Sequence, residues 1–309
     1  MSMMRSLLLA ASQNRWMREH ASRYSFVRHS VNRFMPGESL EDALAAARTL
    51  REKQIGTVFT HLGENVRDQV EAEQVGDHYV EALEQIHQHE IGTEISVKLT
   101  QLGLDLSAEF CLGQLRRILE RENRNSTVWI DMEASNYVDA TLDLYRRCLN
   151  DFPNVGVCLQ AYLYRTREDL ERLLPLRPSV RLVKGAYKET AKIAFPSKQD
   201  VDKNYFELSQ MMLSAKKNGR IIRAAFGTHD LAMIRRIMEF VSCEGMPKND
   251  VEVQMLYGIQ RGEQERLAAE GYRSIVLVAY GSYWYPWFVR RLAERPANVW
   301  FLVKNVFVR

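Results

Sequence analysis

Two adjacent arginines, Arg290 and Arg291, lie within the stretch YWYPWFVRRLAERPAN at residues 283–298. A guanidinium is a planar fork that grips a carboxylate with two hydrogen bonds, so two of them beside an indole suit a small, largely apolar molecule with one carboxylate. If the stretch is helical to about Glu294, stopping before the Arg295-Pro296 step, Trp284, Phe288 and Leu292 form an apolar row for the core. Trp287, Arg291 and Glu294 then fall on a neighbouring stripe, with Arg290 close to it. A solvated Arg/Glu face on an amphipathic helix is the competing reading, and the earlier chain decides between the two.

Those arginines need a scaffold, and the order of elements supplies one. Residues 1–53 read as a strandless N-terminal helical arm, broken at Pro36-Gly37, with Ser39 as the N-cap of a helix over 40–53. From residue 55, short β-branched runs alternate with helix-period segments. Strands are predicted at 55–60, 94–98, 127–132, 155–160, 180–184, 221–226, 251–256 and 274–278. Helices are predicted at 68–90, 107–122, 138–151, 167–174, 202–218, 230–241 and 262–270, the arginine stretch being the eighth. Eight such units close an α/β barrel, a TIM-like (βα)8 catalytic domain over 54–309.

Sites on this fold are built at the C-terminal ends of the strands, and polar residues collect there. Lys98 ends strand two, Asp131 strand three, Gln160 strand four and Lys184-Gly185 strand five; Thr228-His229 follows strand six, and Gln254 and Tyr257 mark strand seven. Arg181 and Val183 share a face of strand five, and an arginine pointing into a barrel needs a partner. Each has a plainer alternative: Lys98 with Asp131 could be a structural ion pair at the barrel mouth, and His229 could cap the following helix. Gly185 allows close backbone approach to a ligand, and Lys184 offers a cation to a diphosphate.

Composition narrows the classes. Forty-two basic against thirty-nine acidic residues give a net charge of +3 without a basic block, which argues against nucleic-acid binding by charge. The four cysteines are far apart, with no Cys-x-x-Cys pair, so neither a disulfide framework nor a zinc ribbon is suggested and a reducing cytoplasm is expected. His61 stands alone at strand one, without the second histidine a barrel metallohydrolase would place there. No run of apolar residues is long enough to span a bilayer, which leaves peripheral membrane contact open; the short RSLLLAA run at residues 5–11 is a weak match to a signal peptide. Neither a Gly-x-Gly-x-x-Gly turn nor a P-loop occurs, so a nucleotide cofactor would lie across the barrel mouth.

The segments SVKLTQLGLD (96–105), WIDME (129–133), RLVKGAYKE (181–189), QMLYG (254–258) and WYPWFVRRLAERPAN (284–298) together resemble the proline dehydrogenases, and the resemblance runs through nearly all of the barrel. It implies a distorted barrel holding non-covalent FAD. The implied reaction is oxidation of L-proline to Δ1-pyrroline-5-carboxylate, the first step of proline breakdown to glutamate, with the electrons passed to a membrane quinone. By this resemblance Lys98, Arg290 and Arg291 bind the proline carboxylate and Glu294 braces the arginine pair. Asp131 and Arg181 match active-site positions, Arg181 beside the flavin ring. Met132, Gln160, Val183, Lys184, Gly185, Thr228 and His229 match FAD contacts, and Ala186, Tyr187 and Leu256 line the same cavity. Departures from the family pattern are Leu277 for a common tyrosine, Trp287 for another and Ala279 for a proline. All three alter the wall of the substrate pocket, so hydroxyproline or another cyclic imino acid is an alternative substrate. A Schiff-base aldolase using Lys98 or Lys184 is the alternative from a different class.

Overall fold

The computed structural model describes residues 31, 33–63, 66–122, 126–285 and 287–289. Its centre is a closed barrel of eight parallel strands in sequence order: β1 (Gly56–His61), β2 (Glu94–Val97), β3 (Val128–Ile130), β4 (Val155–Gln160), β5 (Ser179–Val183), β6 (Arg223–Gly227), β7 (Glu252–Leu256) and β8 (Arg273–Tyr280). β8 closes on β1 over six paired positions, from Gly56 opposite Ile275 to His61 opposite Tyr280. Each predicted strand has its counterpart. The largest differences are that β3 is confined to Val128–Ile130, that β6 starts two residues later than predicted, and that β8 runs two residues past its predicted end because Ala279 and Tyr280 remain paired with Thr60 and His61.

The helices are α1 (Leu40–Glu52), α2 (Gln69–Gln88), α3 (Ala108–Glu122), α4 (Val138–Leu149), α5 (Thr166–Leu173), α6 (Lys198–Lys217), α7 (Leu231–Cys243) and α8 (Arg261–Ala269). Side-chain caps place several of their starts. Ser39 opens α1 in a reciprocal capping box with Asp42, and Asp68, Ser197 and Asp230 accept from backbone N–H groups of the first turns of α2, α6 and α7, each cap contributing about 1 kcal/mol. α6 begins four residues before the predicted 202. Its first turn, Lys198 to Asp202, is almost wholly polar and carries no apolar period, yet Ser197 accepts from the Asp200 N–H and starts the helix there. Asp230, not His229, caps α7.

One departure from a regular barrel shapes the mouth. In a (βα)8 barrel the helix after the last strand covers the outside of that strand and the first. Here α1, from the N-terminal arm, packs on β8 and β1, and its Leu40, Ala43, Leu44 and Ala47 join the main core. Trp284, Tyr285 and residues 287–289, which follow β8, are helical but belong to a separate cluster with Val31, Phe34, Met35, Leu62 and Ala279. Leu62 and Ala279 lie at the C-terminal ends of β1 and β8, so this segment sits against the mouth. Trp284 Nε1 donates to Glu38 Oε1 at 2.9 Å, and the Phe34 and Phe288 rings pack at 6.1 Å, tying it to the chain just before α1. Trp284 and Phe288 are buried, as the apolar row requires, and so is Trp287. Among the described residues no helix is long and apolar enough to cross a membrane.

Candidate active site

The barrel interior is lined by alternate residues of each strand, and two layers of it are ionic. β2 and β6 stand on opposite sides of the ring, so a contact between them must run through the middle. Arg223 of β6 makes such a contact with Glu94 of β2. It also grips Glu252 of β7 with two bonds, 2.6 Å from Nε and 2.8 Å from Nη2, and donates to Thr127 Oγ1 at 2.9 Å. Trp129 Nε1 donates to Glu94 Oε2 at 2.8 Å. This cluster lies at the N-terminal end, away from the mouth. Burial pushes the Glu94 carboxyl up; Glu252 is pushed the same way, but Arg223, with Arg273 and the Gln254 hydrogen bond, overcomes burial and holds it below the ordinary range.

Above it, Val58, Trp129, Ala225 and Ile275 form an apolar plug. The second ionic layer sits on the plug at the strand ends. Arg181, 3% exposed, pairs with Asp131 and donates to Ser96 Oγ at 2.6 Å and Gln254 Oε1 at 3.0 Å. Its guanidinium carbon lies 4.9 Å from the centre of the Trp129 ring, within cation–π range. Asp131 also accepts from Ser96 Oγ at 2.8 Å and from Lys98 Nζ at 3.3 Å. Burial would raise the Asp131 carboxyl, but Arg181 and Lys98, with the Ser96 hydrogen bond, overcome it and hold the group below its ordinary value. Lys98 and Asp131 keep 12% and 19% of their side chains exposed at the mouth, whereas Arg181 is sealed beneath them. The expected partner of Arg181 is therefore Asp131, with Lys98 completing a cation–anion–cation row.

The other candidates fall around this row. Met132 and Gln160 are buried at the ends of β3 and β4. Gln160 Nε2 donates to the Met132 carbonyl at 3.4 Å, while its Oε1 is buried without a hydrogen-bond partner among the described residues. Val183 ends β5, and Lys184, Gly185, Ala186 and Tyr187 follow it, half-buried. Leu256 and Leu277 are opposed in register on β7 and β8 and half-buried. Leu277 shares the inner face with Ile275 of the plug.

Three local expectations change. Gly185 has φ +112°, and a Cβ there would lie 2.2 Å from the Tyr162 ring, so the packing of Tyr162 already demands glycine at this position. Lys184, read as a free cation for a diphosphate, is held by Asp202 at 2.5 Å and Asp230 at 2.8 Å, two carboxylates whose approach depends on α6 and α7. His229 is a stitch between strands: its Nε2 accepts from the Leu256 N–H at 2.9 Å, while the Thr228 N–H donates to the Gln254 carbonyl at 3.1 Å. Arg290, Arg291 and Glu294 lie outside the described residues.

Sequence reasoning missed Ser96 as the shared partner of Asp131 and Arg181, and missed a histidine pair beside the mouth. The His61 and His78 rings pack at 4.2 Å, and His78 Nε2 is 2.8 Å from Tyr280 Oη. Burial, with His78 and Lys98 nearby, lowers His61 to about 4, and burial lowers His78 as well. A histidine held neutral in the fold but free to protonate when unfolded adds stability that is full above its unfolded value of 6.5 and lost as the pH falls toward 4. Denaturation of wild type is thus expected to show stability falling by about 2–3 kcal/mol from His61 alone over that window. His61→Gln should flatten the slope, and an unchanged slope would contradict the assignment.

Comparison with known proteins places the chain in a family. The proline dehydrogenase family profile matches residues 43–304. Proline dehydrogenase 1 of Bacillus subtilis (strain 168) is 38% identical over 305 residues, covering 98% of this chain and 99% of that protein. The proline dehydrogenase of Deinococcus radiodurans is 38% identical over 282 residues, 89% of each. Among solved structures, proline utilization A from Bdellovibrio bacteriovorus superposes with a TM-score of 0.81 at 24% identity, over 94% of this chain and 36% of that one; that likeness concerns the fold. With the barrel and near-full-length relatives in agreement, the chain belongs to the proline dehydrogenase family of oxidoreductases.

Proposed function

We propose that the protein is an FAD-dependent dehydrogenase that oxidises L-proline to Δ1-pyrroline-5-carboxylate and delivers the electrons to a quinone, opening proline breakdown to glutamate. The observation that carries this reading is the row Lys98–Asp131–Arg181 at the barrel mouth, where a fixed, buried guanidinium lies under an accessible ammonium. FAD, when bound, would supply the two-electron acceptor for the hydride that leaves the ring carbon beside the proline nitrogen.

The residues present fit such a group. The buried Gln160 Oε1 lacks a donor among the described residues, and a heterocyclic N–H would satisfy it. Met132 and Val183 stand next to Gln160; with Lys184, Gly185, Ala186 and Tyr187 after β5, Thr228 and His229 after β6, and Leu256 at the end of β7, they are the strand-end residues that would hold the group. Arg181, fixed before any ligand arrives, would stabilise negative charge on a reduced ring without reorganising. Lys98, Arg290 and Arg291 would hold the substrate carboxylate, Glu294 would brace the arginine pair, and Trp287 and Leu277 would form walls. A cationic grip on the carboxylate also disfavours a protonated amine, and the amine must be neutral for its lone pair to assist departure of hydride; its remaining proton passes to solvent as the C=N bond forms.

Two further observations bear on the alternatives. Lys98 and Lys184 are both ion-paired to carboxylates, whereas a Schiff-base nucleophile needs a desolvated free amine. Leu277 and Leu256 present paired apolar side chains, which offer a ring hydroxyl no hydrogen bond and so favour proline over 4-hydroxyproline. Cys111, Cys148, Cys158 and Cys243 are all free thiols, in keeping with a cytoplasmic enzyme that meets its quinone peripherally at the membrane. The decisive experiment is a visible spectrum of the purified protein after reconstitution with FAD. A yellow protein bleached anaerobically by L-proline, and at least about tenfold more slowly by 4-hydroxyproline, is expected. A colourless protein, or one indifferent to L-proline, would sink the reading.

A further inference from the structure

Gln254 joins the two ionic layers that the apolar plug otherwise separates. Its Oε1 accepts from Arg181 Nη1 at 3.0 Å, and its Nε2 donates to Glu252 Oε1 at 2.7 Å. A primary amide has one accepting end and one donating end, and its neighbours are a guanidinium that can only donate and a carboxylate that can only accept. The reversed amide would set donor against donor and acceptor against acceptor, so its orientation is dictated by chemistry. Glu252 is in turn immobilised by two bonds from Arg223, which is held from the far wall by Glu94. The Trp129 ring is within cation–π range of both guanidiniums, 4.9 Å from Arg181 and 5.1 Å from Arg223. Gln254, Glu252 and Arg181 are 4%, 1% and 3% exposed, so water offers no substitute for a lost link.

Two other polar partners of Arg181, Asp131 and Ser96, come from the β2 and β3 side. Gln254 holds the fork from the β7 side, across the barrel. We propose that Gln254 is a positioning residue for Arg181, transmitting the rigidity of the Arg223–Glu94–Glu252 cluster at the base of the barrel to the guanidinium at its mouth. The inference rests on the reading above, in which Arg181 acts on the bound flavin.

Gln254→Met, near in volume but unable to hydrogen bond, is expected to lower kcat for L-proline by about 10- to 100-fold, the cost of a small misplacement at a reacting centre. KM should stay within about twofold, because the carboxylate grip is untouched, and the midpoint potential of the bound flavin should become more negative. In an Arg181→Lys background the same change should add nothing further, because Gln254 acts through Arg181; a merely structural role would add its own loss. In the flavin-free protein, the Arg181 side-chain 15N resonance should broaden or average on going from wild type to Gln254→Met.

Gln254→Glu serves where the methionine variant does not fold. A carboxyl so close to Glu252 should share a proton with it and so mimic the amide, donating to Glu252 and accepting from Arg181. That variant should match wild type at low pH and acquire a new descending limb in kcat as the pair loses its proton. Wild-type kcat, potential and resonance in Gln254→Met, additivity with Arg181→Lys, or a wild-type pH profile in Gln254→Glu would each overturn the proposal. Failure of L-proline to bleach the wild-type flavin would instead remove the functional reading, leaving the 15N measurement to decide whether Gln254 holds Arg181.

Discussion

Arg181→Met is expected to lower kcat/KM for L-proline by at least about 1,000-fold while leaving the barrel folded. The side chain holds Asp131, Ser96 and Gln254 from a buried position over Trp129. Removing one preorganised donor from where charge develops costs about 100- to 1,000-fold in rate, and here a full charge goes with it; breaking the buried pair separately costs about 3–5 kcal/mol of stability. Two effects act together. The positive charge proposed to face the reduced flavin disappears, and the Asp131 carboxyl, left with Lys98 and Ser96 against burial, rises toward the value that burial favours. Stopped-flow reduction of the bound flavin isolates the first effect from substrate binding, and thermal denaturation measures the second. Arg181→Lys separates charge from geometry, because an ammonium restores the charge but cannot reach Asp131, Ser96 and Gln254 at once. It is expected to recover stability and little of the rate. A lysine variant with the wild-type reduction rate would mean that Arg181 is only a counter-ion for Asp131.

The second large effect concerns the arginine pair. Arg290→Lys or Arg291→Lys is expected to raise KM for L-proline by about 10- to 100-fold with a smaller change in kcat, since a point-like ammonium cannot form two parallel bonds to one carboxylate. The structural support comes from the residues leading into the pair. Trp284, Trp287, Phe288 and Val289 are buried against Leu62 and Ala279 at the strand ends, not on the outer wall where an eighth barrel helix would lie. Val289, the residue before the pair, is thus held at the end of the barrel that also carries Lys98. Unchanged KM in both variants would place the arginines on a solvated face and leave Lys98 as the cationic contact for the carboxylate. Glu38→Gln, a conservative change on Trp284 Nε1, is a useful companion, because weakened substrate binding there would show that the arm steadies the arginine segment.

Strand count, strand order and the residues at strand ends were legible in the sequence because each rests on a short-range rule. Side chains alternate across a strand with period two, a helix repeats every 3.6 residues, and a barrel presents its chemistry at strand C-termini. Those rules reached Lys98, Asp131, Gln160 and Arg181 directly. The resemblance to proline dehydrogenases then supplied roles that spacing alone does not contain.

What no local rule reaches is the set of partners that meet across the barrel or between its helices. Ser96 touches Arg181 from 85 positions away and Arg223 meets Glu94 across 129. Each residue reads singly as an unremarkable polar side chain on a strand, and only closure of the ring brings the charges to hydrogen-bond distance in a medium too dry to leave them unpaired. The same holds for Lys184, whose two carboxylates arrive on separate helices, and for α1, which occupies the outer groove between β8 and β1 and so leaves the segment after β8 to pack over the mouth. Sequence periodicity determines which face of an element is apolar; which other element covers that face is settled by competition among all of them for the same surface, and that competition exists only in the folded chain.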